Sequence, residues 1–275
     1  MKSLYKFSLF LLFLSCEKDA EKADSLDIEI TLPPSSQVSV LENPLELVWS
    51  DEFDGAELNL ENWSFEMGDG CPDLCGWGNN ENQIYTDTNH RLEDGFLIIA
   101  AKNDNGYTST RIISKGKQQF QYGRFEARIK VPSGGGLWPA FWALGNDIDK
   151  NPWPDCGEID IMEYVGREPG QIFNSVHTRS SYGNTINTKI TSAPNVEDDF
   201  HVFSMEWTSS SIQFFYDDDL VYIYSPTVRN YENWPFNNPF FLILNLAIGG
   251  NFGGSIDTSL VFPIEYIIDY VRVYQ

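Results

Sequence analysis

The stretch Tyr122-Gly123-Arg124-Phe125-Glu126-Ala127-Arg128-Ile129-Lys130-Val131 alternates regularly, with Phe125, Ala127, Ile129 and Val131 on one side and Arg124, Glu126, Arg128 and Lys130 on the other. Successive side chains of a strand point to opposite faces, so this is a strand with one buried and one solvated face. Further strand-like runs lie at 96–101, 202–207, 212–216, 220–224, 240–248 and 266–274, separated by turn chemistry such as Asp217-Asp218-Asp219 and Gly249-Gly250. No segment sustains a 3.6-residue apolar period and no internal repeat is visible. Many short strands without intervening helices predict an all-β fold, two antiparallel sheets packed as a sandwich or jelly roll.

A chain of 275 residues with 15% aromatic residues, 21 Gly and 14 Pro has the material for one large, loop-rich domain. Its formal net charge of −22 would repel nucleic acid phosphates and an anionic membrane surface, which argues against a nucleic acid partner. Lys2 and Lys6 flank the start of an apolar run, Phe7 to Leu14, that is too short to span a bilayer and reads as an export signal over residues 1–15. The cysteine that ends it, Cys16, resembles the lipobox of bacterial lipoproteins, although Phe13 stands where that motif usually has Leu. The resemblance implies lipidation of Cys16, export, and anchoring to the cell envelope. Residues 16–44, polar and acidic with Pro33-Pro34-Ser35-Ser36, read as a flexible tether, the alternative being an extra edge strand at 28–32 or 38–41. The domain proper is expected over 45–275.

Within it lies Asp155-Cys156-Gly157-Glu158-Ile159-Asp160-Ile161-Met162-Glu163-Tyr164. On a regular strand Glu158 and Asp160 share a face and Glu163 points away; a β-bulge near Ile161-Met162 would return Glu163 to that face. Three carboxylates together with no Lys or Arg among them are costly, and a fold keeps such an arrangement mostly where chemistry requires it. A solvated acidic strand and an oxygen-ligand metal site are the alternatives. The first fits poorly between Trp153-Pro154 and Tyr164-Val165-Gly166, and the second lacks converging ligands. Two carboxylates flanking a sugar–sugar bond are what glycoside hydrolysis needs, about 5–5.5 Å apart in retaining enzymes. With the bulge the backbones of Glu158 and Glu163 stand about 13 Å apart, so their side chains must lean together.

Gly157-Glu158-Ile159-Asp160-Ile161-Met162-Glu163 resembles the catalytic signature of glycoside hydrolase family 16 in its bulged form. The similarity extends through Trp49-Ser50-Asp51-Glu52-Phe53, Trp77-Gly78-Asn79-Asn80-Glu81, the Tyr122 strand, Trp138-Pro139-Ala140-Phe141-Trp142, Trp234-Pro235-Phe236 and Asp269-Tyr270-Val271-Arg272-Val273-Tyr274. Within the family the chain looks like the laminarinases, retaining endo-β-1,3-glucanases on a concanavalin-like β-jelly roll with a concave substrate cleft.

The resemblance implies Glu158 as nucleophile, Glu163 as general acid/base and Asp160 as the carboxylate that tunes them, without a catalytic cofactor. It places Trp138, Trp142, Trp153 and His177 in the cleft, with Asn79, Glu81 and Arg111 as candidates to bond sugar hydroxyls. Trp138 and Trp153 are expected in loops, and Trp142 is the indole most readily lost to the core. A surface salt bridge is the alternative for Arg111, and a structural role for His177. Phe252 departs from relatives that carry Trp in that context. Cys71 and Cys75 are expected to form a disulfide, an exported protein meeting oxidising conditions, which leaves Cys156 free. The resemblance also implies a structural calcium, held by the carbonyls of Glu52 and Gly95 and the side chain of Asp269, a turn or cap role being the alternative for Asp269. Besides β-1,3-glucan, hydrolysis of an algal galactan and sugar binding without catalysis stay open, and a monomer is the default.

Overall fold

The computed structural model describes residues 44–275. The export signal, Cys16, the tether up to residue 43 and the candidate edge strands at 28–32 and 38–41 lie outside the described residues. In chain order the strands are β1 (Leu47–Asp51), β2 (Ser64–Glu66), β3 (Ile84–Tyr85), β4 (His90–Glu93), β5 (Phe96–Asn103), β6 (Tyr107–Ser109), β7 (Arg111–Ile113), β8 (Gly123–Lys130) and β9 (Leu137–Gly145). Then come β10 (Glu158–Glu163), β11 (Gln171–His177), β12 (Thr188–Ser192), β13 (His201–Trp207), β14 (Ile212–Tyr216), β15 (Asp219–Tyr224), β16 (Phe240–Ile248) and β17 (Ile264–Tyr274). Every strand run expected from the sequence appears, with ends shifted by two residues at most.

One sheet runs β15-β14-β13-β8-β17-β5-β6-β3, with β1 also on β17 and β4 on β5; the other runs β12-β11-β10-β9-β16-β7-β2. All pairings are antiparallel except β3 with β6. The Tyr122 strand, now β8, shows why the sheets stack. Phe125, Ala127 and Ile129 are fully buried against the other layer, while Arg124, Arg128 and Lys130 keep partial access to water. Glu126 departs from the alternation: it is buried because Arg124 Nε and the Tyr274 hydroxyl both donate to its carboxylate. Burying a charge is tolerable only with such partners.

The run 240–248 is buried throughout for a different reason: strand β16 is covered on both faces. Leu242, Leu244, Leu246 and Ile248 enter the main core between the sheets. Phe241 and Ile243 join Ile113, Leu144 and Cys156 in a second cluster on the opposite face. That opposite face of the seven-stranded sheet is the one that carries the carboxylates. Among the described residues no helix is long and apolar enough to cross a membrane.

Candidate active site

Strand β10 has the bulge. Against β9 its register runs Asp160 to Trp142 and then Met162 to Phe141, leaving Ile161 over, and the pairing with β11 breaks at the same place. Ile159, Ile161 and Met162 are fully buried in the core. The extra residue therefore returns Glu163 to the face of Glu158 and Asp160. The turn into the strand needs glycine at 157, where φ is 80° and a Cβ would come within 2.7 Å of Pro235. Trp234-Pro235-Phe236 is thus the wall that this turn packs against.

Burial and the charge of Asp160 push the Glu158 carboxyl up to about 8, while the Trp153 indole N–H bonds to it and favours its ionised form. Two adjacent carboxylates in so dry a place cannot both ionise cheaply, which is why Glu158 keeps its proton above the ordinary carboxylate range. His177 lies across β11 with Nε2 3.0 Å from Asp160 Oδ2 and 3.6 Å from Glu158 Oε1. Burial opposes an imidazolium there, and the surrounding carboxylates outweigh it, lifting the ring to about 10 on charge alone. The Gly183 backbone N–H, however, donates to Nδ1 at 3.1 Å. Protonating Nδ1 would set two N–H groups head to head, so the ring is neutral with its proton on Nε2, the nitrogen on the side of the carboxylates. The same bond argues against a metal. Glu158, Asp160 and His177 present ligand atoms within 4.8 Å of one another. A metal on Nε2 would require Nδ1 to donate, and here it accepts.

Glu163 titrates well above the usual carboxylate range because it is buried and faces the charge of Asp160. Trp138 Nε1 donates to its Oε1 at 3.0 Å. Trp138 is on β9 and not in the loop expected from its neighbouring glycines and Pro139, because those glycines precede the strand and Pro139 is accommodated within it. Phe252 meets Trp138 edge-on at 5.4 Å and Phe173 at 5.0 Å, with the Arg167 guanidinium 5.6 Å away over its ring. Phe252 thus buttresses the partner of Glu163.

On the other side of β10 the outer face is polar and aromatic. Trp142 is half-buried there and outside the main core, its Nε1 donating to Asn245 Oδ1 at 2.7 Å. Asn245 Nδ2 bonds the Tyr85 hydroxyl, which reaches Glu81 Oε2, and Gln83 and Asn79 also donate to Glu81. Burial raises the Glu81 carboxyl above its ordinary range. Arg111 is 8% exposed, sandwiched between the indoles of Trp77 at 4.6 Å and Trp142 at 4.8 Å, and paired with Glu66 at 2.5 Å. Its ion pair is real but not on the surface. Sequence reading missed Asn245, Gln83 and Tyr85, although Asn245 interrupts an otherwise apolar run and that interruption was its signal. Gly183 acts through its backbone and leaves no signature. Trp153 is exposed in a turn, edge-on to Tyr182 at 5.3 Å.

Cys71 and Cys75 form the expected disulfide. Cys156 is free, and burial pushes its thiol up to about 12, so it stays protonated and inert. Of the calcium positions, Gly95 forms with Asp94 the two-residue turn joining β4 to β5, both at positive φ. Asp269 stands at a register break of β17 and accepts a bond from Arg128 at 2.5 Å. The Glu52 carboxylate is held by both arms of Arg272. The donors that the resemblance names, two carbonyls and a carboxylate oxygen of Asp269, are of the hard type that calcium accepts.

The sequence matches the model of glycosyl hydrolases family 16 over residues 77–270. The chain belongs to glycoside hydrolase family 16. It is 42% identical to a beta-glucanase of Rhodothermus marinus over 84% of this chain and 85% of that one. It is 39% identical to a glucan endo-1,3-beta-glucosidase of Cryptopygus antarcticus over 80% and 90% of the two chains. A crystal structure of a laminarinase from a Flavobacterium species superposes with a TM-score of 0.82 at 53% identity, over 84% of this chain and all of the other. The glycoside hydrolase reading of the chain and the jelly-roll fold class both stand.

Proposed function

We propose that the protein is a retaining endo-β-1,3-glucanase acting on laminarin-type glucan, with mixed-linkage β-1,3-1,4-glucan as a secondary substrate. The observation that carries this is the bulge of β10, which puts an acid held protonated, Glu163, on one face with the Glu158–Asp160 pair. Glu158, as the carboxylate, attacks the anomeric carbon while Glu163 protonates the departing glycosidic oxygen. The Glu163 carboxylate then takes a proton from water, which hydrolyses the ester on Glu158 and returns a sugar of the original configuration. His177 Nε2–H holds Asp160 and Glu158 in register. No step calls for a cofactor.

Neutral glucan fits better than a sulfated galactan because Arg111, which lies between Trp77 and Trp142 in the cleft, is already neutralised by Glu66. Reducing-end release from laminarin, lichenan, agarose and porphyran side by side tests the reading. Laminarin is expected to be cleaved fastest, whereas release from a galactan alone would overturn the substrate, and a folded but silent protein would favour a sugar-binding role.

The calcium belongs to the same proposal, held by Asp269 and the carbonyls of Glu52 and Gly95, tying β1 and the β4–β5 turn to β17. An ion at a hundred times its dissociation constant contributes about 2.7 kcal/mol. The melting temperature is then expected to rise by about 5–10 °C from chelator to millimolar calcium, and an unchanged value would remove the site. Export as a lipoprotein anchored through Cys16, with residues 45–275 acting as a monomer, completes the proposal. Loss of the protein from the membrane fraction in Cys16→Ala is its check.

A further inference from the structure

Strand β11 pairs regularly with β12, so its side chains alternate without a break. Phe173 meets Phe252 and His177 meets the carboxylates, which puts Ile172, Asn174 and Val176 on the opposite face, toward the core. Ile172 and Val176 belong to that core, and Asn174, 1% exposed, carries an amide into it between them. A buried amide is destabilising unless its polar atoms are bonded. Only one end of this one is. Nδ2 donates to the Ile161 carbonyl oxygen at 2.7 Å, while Oδ1 is buried with no hydrogen-bond partner in the protein.

The partner of Nδ2 explains why an amide is kept there. Between β10 and β11 the register runs Asp160 to Ser175 and then Glu163 to Phe173, so Ile161 and Met162 together face Asn174 alone. Against β9 it is Ile161 that is passed over. The extra residue of a bulge drops out of the ladder. Its carbonyl is here taken by the side chain directly across from it. On either side of the bulge the chain is already held. Before it, Glu158 is paired with His177 and Leu144. After it, the Tyr164 N–H donates to the Pro139 carbonyl at 3.2 Å and the Tyr164 hydroxyl to Glu197 Oε1 at 2.8 Å. The stretch that the ladder leaves least constrained is Ile161-Met162, and that is where Asn174 bonds.

We infer that Asn174 is a positioning residue for Glu163: its amide fixes the bulge, and with it the place from which Glu163 protonates the departing glycosidic oxygen. Glu158 and Asp160 precede the bulge and do not depend on it. A regular strand would turn Glu163 into the core, so loss of the amide loosens the bulge without erasing it. The inference rests on the proposed role of Glu163 as general acid.

Asn174→Leu and Asn174→Ser test it together. The first keeps the volume and the second keeps a hydroxyl that falls short of the Ile161 carbonyl, so the loss of the amide bond is what they share, and Asn174→Ser carries the test if leucine unsettles the core. Each is expected to lower kcat on a linear β-1,3-glucan about tenfold to a hundredfold with KM unchanged, the effect of a general acid misplaced by about 1 Å. On an aryl β-1,3-glucooligosaccharide with an acidic phenol, kcat/KM reports formation of the ester on Glu158, which needs the nucleophile and no acid, and it is expected to stay within about twofold. A general loosening of the fold would lower both. Equal losses on the two substrates, or no loss on the glucan, overturn the inference. Glu163→Ala assayed alongside must show the same split; if it does not, the proposed mechanism falls instead, so the two failures are distinguishable.

Discussion

Glu158→Gln abolishes hydrolysis and makes the protein more stable. The amide cannot form the glycosyl ester, and deleting a covalent nucleophile costs about 10⁴-fold or more in turnover. The stability gain follows from the same burial that prepares the site. Burial and Asp160 hold the Glu158 carboxyl at about 8 in the folded protein, against 4.5 for an ordinary glutamate. A carboxyl whose folded value is raised binds its proton more tightly in the native state, so the protonated form supports folding. That support is complete below about pH 4.5 and is lost as pH rises toward 8. The neutral amide never loses it. The variant should therefore match the unaltered protein near pH 4 and exceed it by about 3 kcal/mol at pH 7, or at least 6 °C in melting temperature. Calorimetry across that range is the check. Retained turnover would remove Glu158 from the mechanism, and a pH-independent difference in melting temperature would mean that the carboxyl is not strained by its surroundings.

That strain was legible in the sequence in kind but not in degree. Three acids interleaved with β-formers and the odd spacing of Glu163 were enough to call for a bulge, and one-residue slippage is so costly in a sheet with a buried face that the bulge could be placed within two residues. In the larger sheet β8 was legible because it shows one face to water, and β5, buried on both faces, because its apolar run is continuous. β9 was not read as a strand, because Pro139 and the glycines before it hide a segment covered on both sides. Cross-chain partnerships were the least visible. Nothing in the order of residues joins Trp142 to Asn245 or Gly183 to the ring of His177; these depend on register and on a loop backbone, and they decide which indole lines the cleft and which imidazole nitrogen holds the proton.

Glu163→Ala is expected to fail in a way that depends on the departing group. On β-1,3-glucan the leaving sugar oxygen needs a proton, and losing the general acid lowers turnover by about 10²–10⁴. On an aryl glucoside with an acidic phenol the first step needs no acid, so the ester on Glu158 forms and then stalls for want of a base. Azide placed in the space of the missing carboxyl attacks that ester without a base and should release a glycosyl azide of retained configuration. Rescue in Glu158→Ala with inverted configuration would show the two roles to be exchanged. The alkaline limb of the pH profile of kcat/KM reports the same group, since activity falls as Glu163 loses its proton. Trp138 Nε1–H bonds the carboxylate and favours that loss. Trp138→Phe removes the donor, so the proton is held to higher pH and the limb moves upward; a downward shift would mean that Trp138 keeps water from Glu163 more than it bonds it.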